Sequence, residues 1–156
     1  MKKLTEKRLY NAALAYVAKY SASAGMVRDV LGRKLRRAGQ RDLEVPPEAS
    51  GWIDKIVESL ARAGYVNDRG YAESVARRLS EQGKSAYFIR QKLALAHISA
   101  ADADEALQKN TLTDIQRARI LVAKKKLQNT PKDLAKLARA GFSYEVAKEA
   151  LAHSDT

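Results

Sequence analysis

Cysteine is absent from the 156 residues. Disulfides and thiolate-ligated metal sites are thereby excluded, and a reducing cytosol accommodates such a chain. Prolines number three and aromatic residues make up only 6%. Runs that alternate valine or threonine with polar residues, the mark of half-buried strands, are missing. No apolar stretch approaches the roughly 20 residues needed to cross a bilayer. The opening Met-Lys-Lys-Leu-Thr-Glu-Lys-Arg has the charge of a signal peptide but no apolar centre, because Glu6, Lys7 and Arg8 interrupt it. A soluble, cytoplasmic protein without a membrane partner is expected. Histidine occurs only as His97 and His153, both expected at the surface near helix ends, where neither serves a metal nor a general base.

What is abundant is alanine, leucine, arginine and lysine, all good helix formers, so the expected class is all-α. Net charge is +11 and pI about 9.9, which suits a polyanionic partner: DNA, RNA or an acidic protein surface. The excess is uneven: +6 over residues 1–50, +3 over 51–100 and +2 over 101–156.

Gly64–Ala72, G-Y-V-N-D-R-G-Y-A, organises the chain. Gly64 follows an apolar-periodic run and suits a left-handed helix stop. Tyr65 and Val66 give the corner something to bury. Asn67 or Asp68 can cap the next helix, whose apolar face opens at Tyr71 and Ala72. The stretch reads as a joint between two copies of one building block.

Nine helices are expected. The first starts near Thr5 with a buried stripe of Tyr10, Ala13, Leu14, Val17 and Tyr20. The second carries Val27, Val30, Leu31 and Leu35 and stops at Gly39. After a loop over Asp42–Gly51, the third begins at Pro47, a residue suited to a first turn, with Trp52, Ile53, Ile56, Val57 and Leu60 inward. The next three hold Tyr71, Ala72, Val75 and Leu79; Ile89 and Leu93 behind a Ser85 cap, with Phe88 a further candidate; and Ala103, Ala106 and Leu107 behind Ser99. The last three begin at a Thr113/Gln116 capping box, at Thr130 with Pro131, and at Ser143. They present Ile115, Ala118, Leu121 and Val122; Leu134, Leu137 and Ala138; and Val146, Ala147, Ala150 and Leu151. Residues 153–156 are expected to fray.

The middle helix of each set of three aligns without gaps. S-A-G-M-V-R-D-V-L (Ser23–Leu31) matches S-A-Y-F-I-R-Q-K-L (Ser85–Leu93), and T-P-K-D-L-A-K-L-A (Thr130–Ala138) follows more loosely. Each has a capping hydroxyl with apolar residues four and eight positions on, one helix face. The first two share an arginine, Arg28 and Arg90; the third has Ala135. The predicted architecture is an elongated tandem array of three three-helix repeats, 1–64 (with the loop 42–51), 65–110 and 111–156, each too small to enclose a core without its neighbour.

No catalytic constellation is apparent. Asp102, Asp104 and Glu105 sit where acids favour a helix N-terminus. Gly83-Lys84-Ser85 imitates the end of a phosphate loop, but the required earlier glycine is replaced by Arg78 and a helix precedes it. The candidate partner-binding residues are the basic ones: Arg28, Arg33, Lys34, Arg36, Arg37, Arg77, Arg78, Arg90, Lys124, Lys125 and Lys126. No cofactor or metal is expected. A non-specific nucleic-acid-binding helical module is the alternative reading of these groups.

The corner G-Y-V-N-D-R-G-Y-A with G-K-S-A-Y-F-I-R-Q-K-L after it resembles the signature region of the RecX family, bacterial regulators of the RecA recombinase. S-A-G-M-V-R-D-V-L-G-R-K-L-R-R-A-G resembles that family's first repeat, and A-R-A-G-F-S-Y-E-V-A-K-E-A-L (Ala138–Leu151) its C-terminal end. The likeness runs over about residues 5–152. It departs at Ala135, where a basic residue is expected, and in the proline-containing loop. The resemblance implies tandem three-helix repeats, binding in the groove of the RecA–DNA filament, and inhibition of RecA's ATPase, co-protease and strand-exchange activities without any reaction catalysed by the regulator; a monomer with weak direct DNA binding besides is expected.

Overall fold

A computed structural model describes residues 2–41 and 43–152; Asp42, His153 and the tail expected to fray lie outside the described residues. The fold is all-α. Among the described residues run α1 (Glu6–Lys19), α2 (Ala24–Gln40), α3 (Ala49–Arg62), α4 (Asp68–Glu81), α5 (Ala86–Leu95), α6 (Ala100–Lys109), α7 (Asp114–Lys125), α8 (Pro131–Arg139) and α9 (Tyr144–Ala152). The only extended pairing among them is one parallel bridge, Lys3 with Glu44. The chain divides into two compact units, Met1–Tyr71 and Ala72–Thr156.

Helix starts follow the hydroxyl residues. Thr5, Ser23, Ser85, Ser99, Thr113 and Thr130 each accept a hydrogen bond from the amide three residues on, filling one of the free donors of a first turn. At Thr113 the amide in turn donates to Gln116 Oε1, which completes the capping box. Helix α3 is the exception: Glu48 precedes it without a side-chain cap. The helix does not begin at Pro47. Pro46 and Pro47 belong to a turn in which the Ala49 N–H donates to the Pro46 carbonyl at 3.0 Å, so α3 starts two residues later and takes Ala49–Gly51 out of the expected loop.

Five of the helix ends share one motif. After α3, the Gly64 amide donates to Ala61 and the Tyr65 amide to Leu60, the paired 5→2 and 6→1 bonds of a left-handed stop. The same pair recurs at Gly83, His97, Lys126 and Gly141, all with positive φ.

In the first unit the core gathers Leu9, Ala13, Val27, Leu31, Ile56, Val57 and Leu60, with Trp52 and Ile53 packed at its margin. Val66 closes it; Tyr65, expected to be buried, is 57% exposed. Tyr20 is likewise exposed rather than part of the α1 stripe, because the chain has turned extended there. Leu9 takes the deep position instead. In the second unit Ala118, Leu121, Leu127, Leu137, Phe142, Ala147 and Leu151 form a core of α7, α8 and α9. Ala138 lies outside it, exposed, and Leu137 fills the buried position.

Candidate functional site

Two devices recur in the fold and fix where basic residues can stand. In the first, the opening residue of one helix caps another. The Ala24 N–H at the head of α2 donates to Asp68 Oδ1 at 2.8 Å, and the Ala86 N–H at the head of α5 donates to Asp114 Oδ1 at 2.9 Å. Asp68 and Asp114 are the first residues of α4 and α7. Asn67, not Asp68, caps α4, through the Gly70 amide. Asp114 also holds Arg117 Nη1 at 3.0 Å. Arg117 is buried, and Ser80 and Asn110 accept its other N–H groups. Its charge and donors are satisfied inside the fold.

The second device is an ion pair from middle to third helix: Arg28 on α2 with Asp54 on α3, and Arg90 on α5 with Asp104 on α6 at 3.1 Å. The shared arginine of the aligned middle helices is therefore engaged internally. These pairs are exposed, and such pairs contribute at most about 1 kcal/mol.

The remaining basic candidates separate. Arg33, Lys34 and Arg37 are brought together along a trough of about 610 Å³ between α1 and α2. Arg41, which closes the same basic segment, and Arg8, which charge spacing did not single out, complete a rim of five cations. The signal was present: 33, 34, 37 and 41 fall on one helix face, and Arg8 precedes Ala12 and Ala15 by four and seven residues. The floor is apolar, made of Leu4, Ala12, Ala15, Val30, Ala38 and Leu43, with Tyr16 beside it. Among the described residues no acidic side chain lines the trough, and none of the five cations has an ion pair. Arg36 is exposed and lies outside this rim.

In the second unit Arg77 lies in a shallow depression with Glu73, Glu81 and Lys109, a mixed rather than cationic surface. Lys109 binds Glu73 at 2.7 Å and Glu105 at 3.5 Å; the Glu73 hydrogen bond and charge raise its pKa. Arg78 is exposed. Lys124, Lys125 and Lys126 are exposed at the end of α7, where cations favour the negative end of the helix dipole. Asp133 accepts from the Gln128 amide at 2.7 Å; that bond, with help from Lys136, holds its carboxyl below the usual range. Among the described residues no cluster of three or more histidine or acidic residues could hold a metal, and no helix is long and apolar enough to cross a membrane.

Residues 67–107 match the family description "RecX, second three-helix domain". The chain is 33% identical over 163 residues to the regulatory protein RecX of Myxococcus xanthus, covering 96% of this chain and 87% of that protein. It is 29% identical to the regulatory protein RecX of Streptococcus sanguinis, spanning 92% of this chain but 54% of that longer relative. The crystal structure of RecX from Lactobacillus salivarius superposes with a TM-score of 0.70 at 23% identity over 96% of both chains. A second RecX crystal structure gives 0.66 at 22% identity, over 93% of this chain and 70% of that one. At those identities the two structures speak to the fold, and the long match to the M. xanthus protein speaks to descent: the chain belongs to the RecX family.

Proposed function

We propose that this protein regulates the RecA recombinase by lying in the groove of the RecA–DNA filament and depressing ATP hydrolysis, co-protease activity and strand exchange, so tempering recombination and the SOS response. Its membership of the RecX family along nearly its whole length carries this reading. It acts as a cytoplasmic monomer, catalyses nothing itself and needs no cofactor. Its helices form three triplets, 1–64, 65–110 and 111–156; the 67–107 match to a single three-helix domain supports the middle one. The contact set comprises the exposed cations, above all Arg33, Lys34, Arg36 and Arg37, with Arg77, Arg78 and Lys124–Lys126 in the second unit. Arg28 and Arg90, already ion-paired, contribute least. Individually weak contacts of this kind must be numerous to bind and must weaken with salt.

The test is RecA's ATPase on single-stranded DNA with substoichiometric amounts of this protein. Inhibition is expected, and changing Arg36 and Arg37 together to Glu reduces it. Full ATPase at equimolar protein refutes the reading. The unpaired cations of the first unit favour a second reading, non-specific nucleic-acid binding. It requires tight binding to single-stranded DNA without RecA, with a log–log salt slope of about −0.7 per phosphate neutralised.

A further inference from the structure

We propose that the trough between α1 and α2 is a docking site for an acidic peptide segment that carries apolar anchors. The inference deepens the regulatory reading and rests on it only for which protein supplies the segment.

The rim is the first argument. Arg8, Arg33, Lys34, Arg37 and Arg41 surround one cavity that no acidic side chain lines among the described residues. Like charges held around one cavity repel, so the cluster is a standing cost to the fold. The end of α2 offsets part of it, since Arg37 and Arg41 stand at the negative end of that helix. Arg8 and Arg33 have no such compensation. An anionic ligand supplies it.

The floor decides which anion. Besides Arg8 and Tyr16, α1 lines the trough with Ala12 and Ala15, whose small side chains leave it open; leucines there would fill it. A cavity of about 610 Å³ is the size of sites that accept bulky apolar groups. Sugar and phosphate offer such a floor nothing to bury. A segment that alternates carboxylates with leucine- or phenylalanine-sized side chains satisfies rim and floor together. Leu4 and Leu43 add to the apolar lining, and the Leu4 amide is hydrogen-bonded to the Glu44 carbonyl at 3.0 Å, which ties the two segments together.

The experiment is fluorescence anisotropy on the full chain with three labelled probes: a 12-residue peptide of Glu and Leu at helical spacing, the same peptide with Ser for Leu, and a 12-nucleotide oligothymidylate. The Leu peptide is expected to bind at least ten times more tightly than the other two. Arg33→Gln with Arg37→Gln, which removes charge without reversing it, should weaken that binding at least tenfold. Ala15→Trp, at an exposed position that fills the trough, should do the same while leaving the circular dichroism melt unchanged. Equal binding of the two peptides, or insensitivity to both variants, overturns the proposal. Tighter oligothymidylate binding that the same variants abolish also overturns it and assigns the trough to phosphate. Peptide binding without ATPase inhibition defeats the RecA reading alone; inhibition without peptide binding defeats this inference alone.

Discussion

Gly64 and Gly83 have nearly the same backbone, φ +83° and +82°, and end their helices by the same hydrogen-bond pair. Their surroundings differ completely. A Cβ at position 64 meets nothing within 4 Å, whereas one at 83 stands 2.8 Å from the Leu121 amide nitrogen and 2.9 Å from Leu121 Cβ. Alanine at either site carries the left-handed penalty, about 1 kcal/mol. At 83 it must also push the end of α4 away from α7, because carbon atoms rest at about 3.5–4.0 Å. Overpacking of that kind costs about 1–3 kcal/mol. Gly64→Ala should therefore destabilise by about 1 kcal/mol and Gly83→Ala by about 3, a gap of about 2 kcal/mol or a factor of about 30 in the unfolding equilibrium. Urea titration followed by circular dichroism measures both. Trp52, the single tryptophan, reports the first unit separately, where only the position 64 change should register. Equal losses in the two variants would mean that the α4–α7 approach tolerates a methyl group, and the steric argument would fall.

Asp68→Ala removes one cap from α2 and should cost about 1 kcal/mol. Asp114→Ala also deprives the buried Arg117 of its carboxylate and should cost about 3–5 kcal/mol; urea melts that rank them equally would contradict the Arg117 assignment. Lys126→Gly relieves a residue held at φ 53° and should stabilise by about 1 kcal/mol, a rise in Tm of roughly 3 °C; a fall in Tm would show that the lysine side chain is needed there. Asp133 has a lowered pKa, so its bond to the Gln128 amide is intact above the ordinary carboxylate range and is lost as pH falls through the lowered value. The Gln128 amide signal in an NMR titration should move with a midpoint below that of an ordinary aspartate, and a midpoint at or above it would contradict the assignment.

Helix starts, and the stops at Gly64 and Gly141, were the most legible part of the sequence, because hydroxyl caps and left-handed glycines act over three to six residues; the stop expected at Gly39 failed, since α2 runs through it to Gln40. Pro47 misled since a proline can open a helix or complete a turn, and the second use prevailed once Ala49 bonded back to Pro46. Tyr20 and Tyr65 fit the apolar pattern but sit where the chain leaves its helix, and periodicity does not carry across that point. The cationic patch was half visible. Arg33, Lys34 and Arg37 stood among the basic candidates of α2 beside Arg28 and Arg36, yet Arg8 joins them only through the packing of α1. The same tertiary information withdrew Arg28 and Arg90: Asp54 and Asp104 lie 26 and 14 residues away in the chain, and nothing local announces them.

The bond from Ala24 to Asp68 has a temporal meaning. A ribosome that has released residues through Arg62 has delivered three complete helices and the apolar side chains between them, but the first amide of α2 still waits for its acceptor. That acceptor arrives six residues later, on a segment whose own helix has just begun. Synthesis of the next stretch thus finishes the previous one. A fragment cut at residue 64 should be born incomplete, while one carried through residue 71 contains every bond described here for that part of the chain.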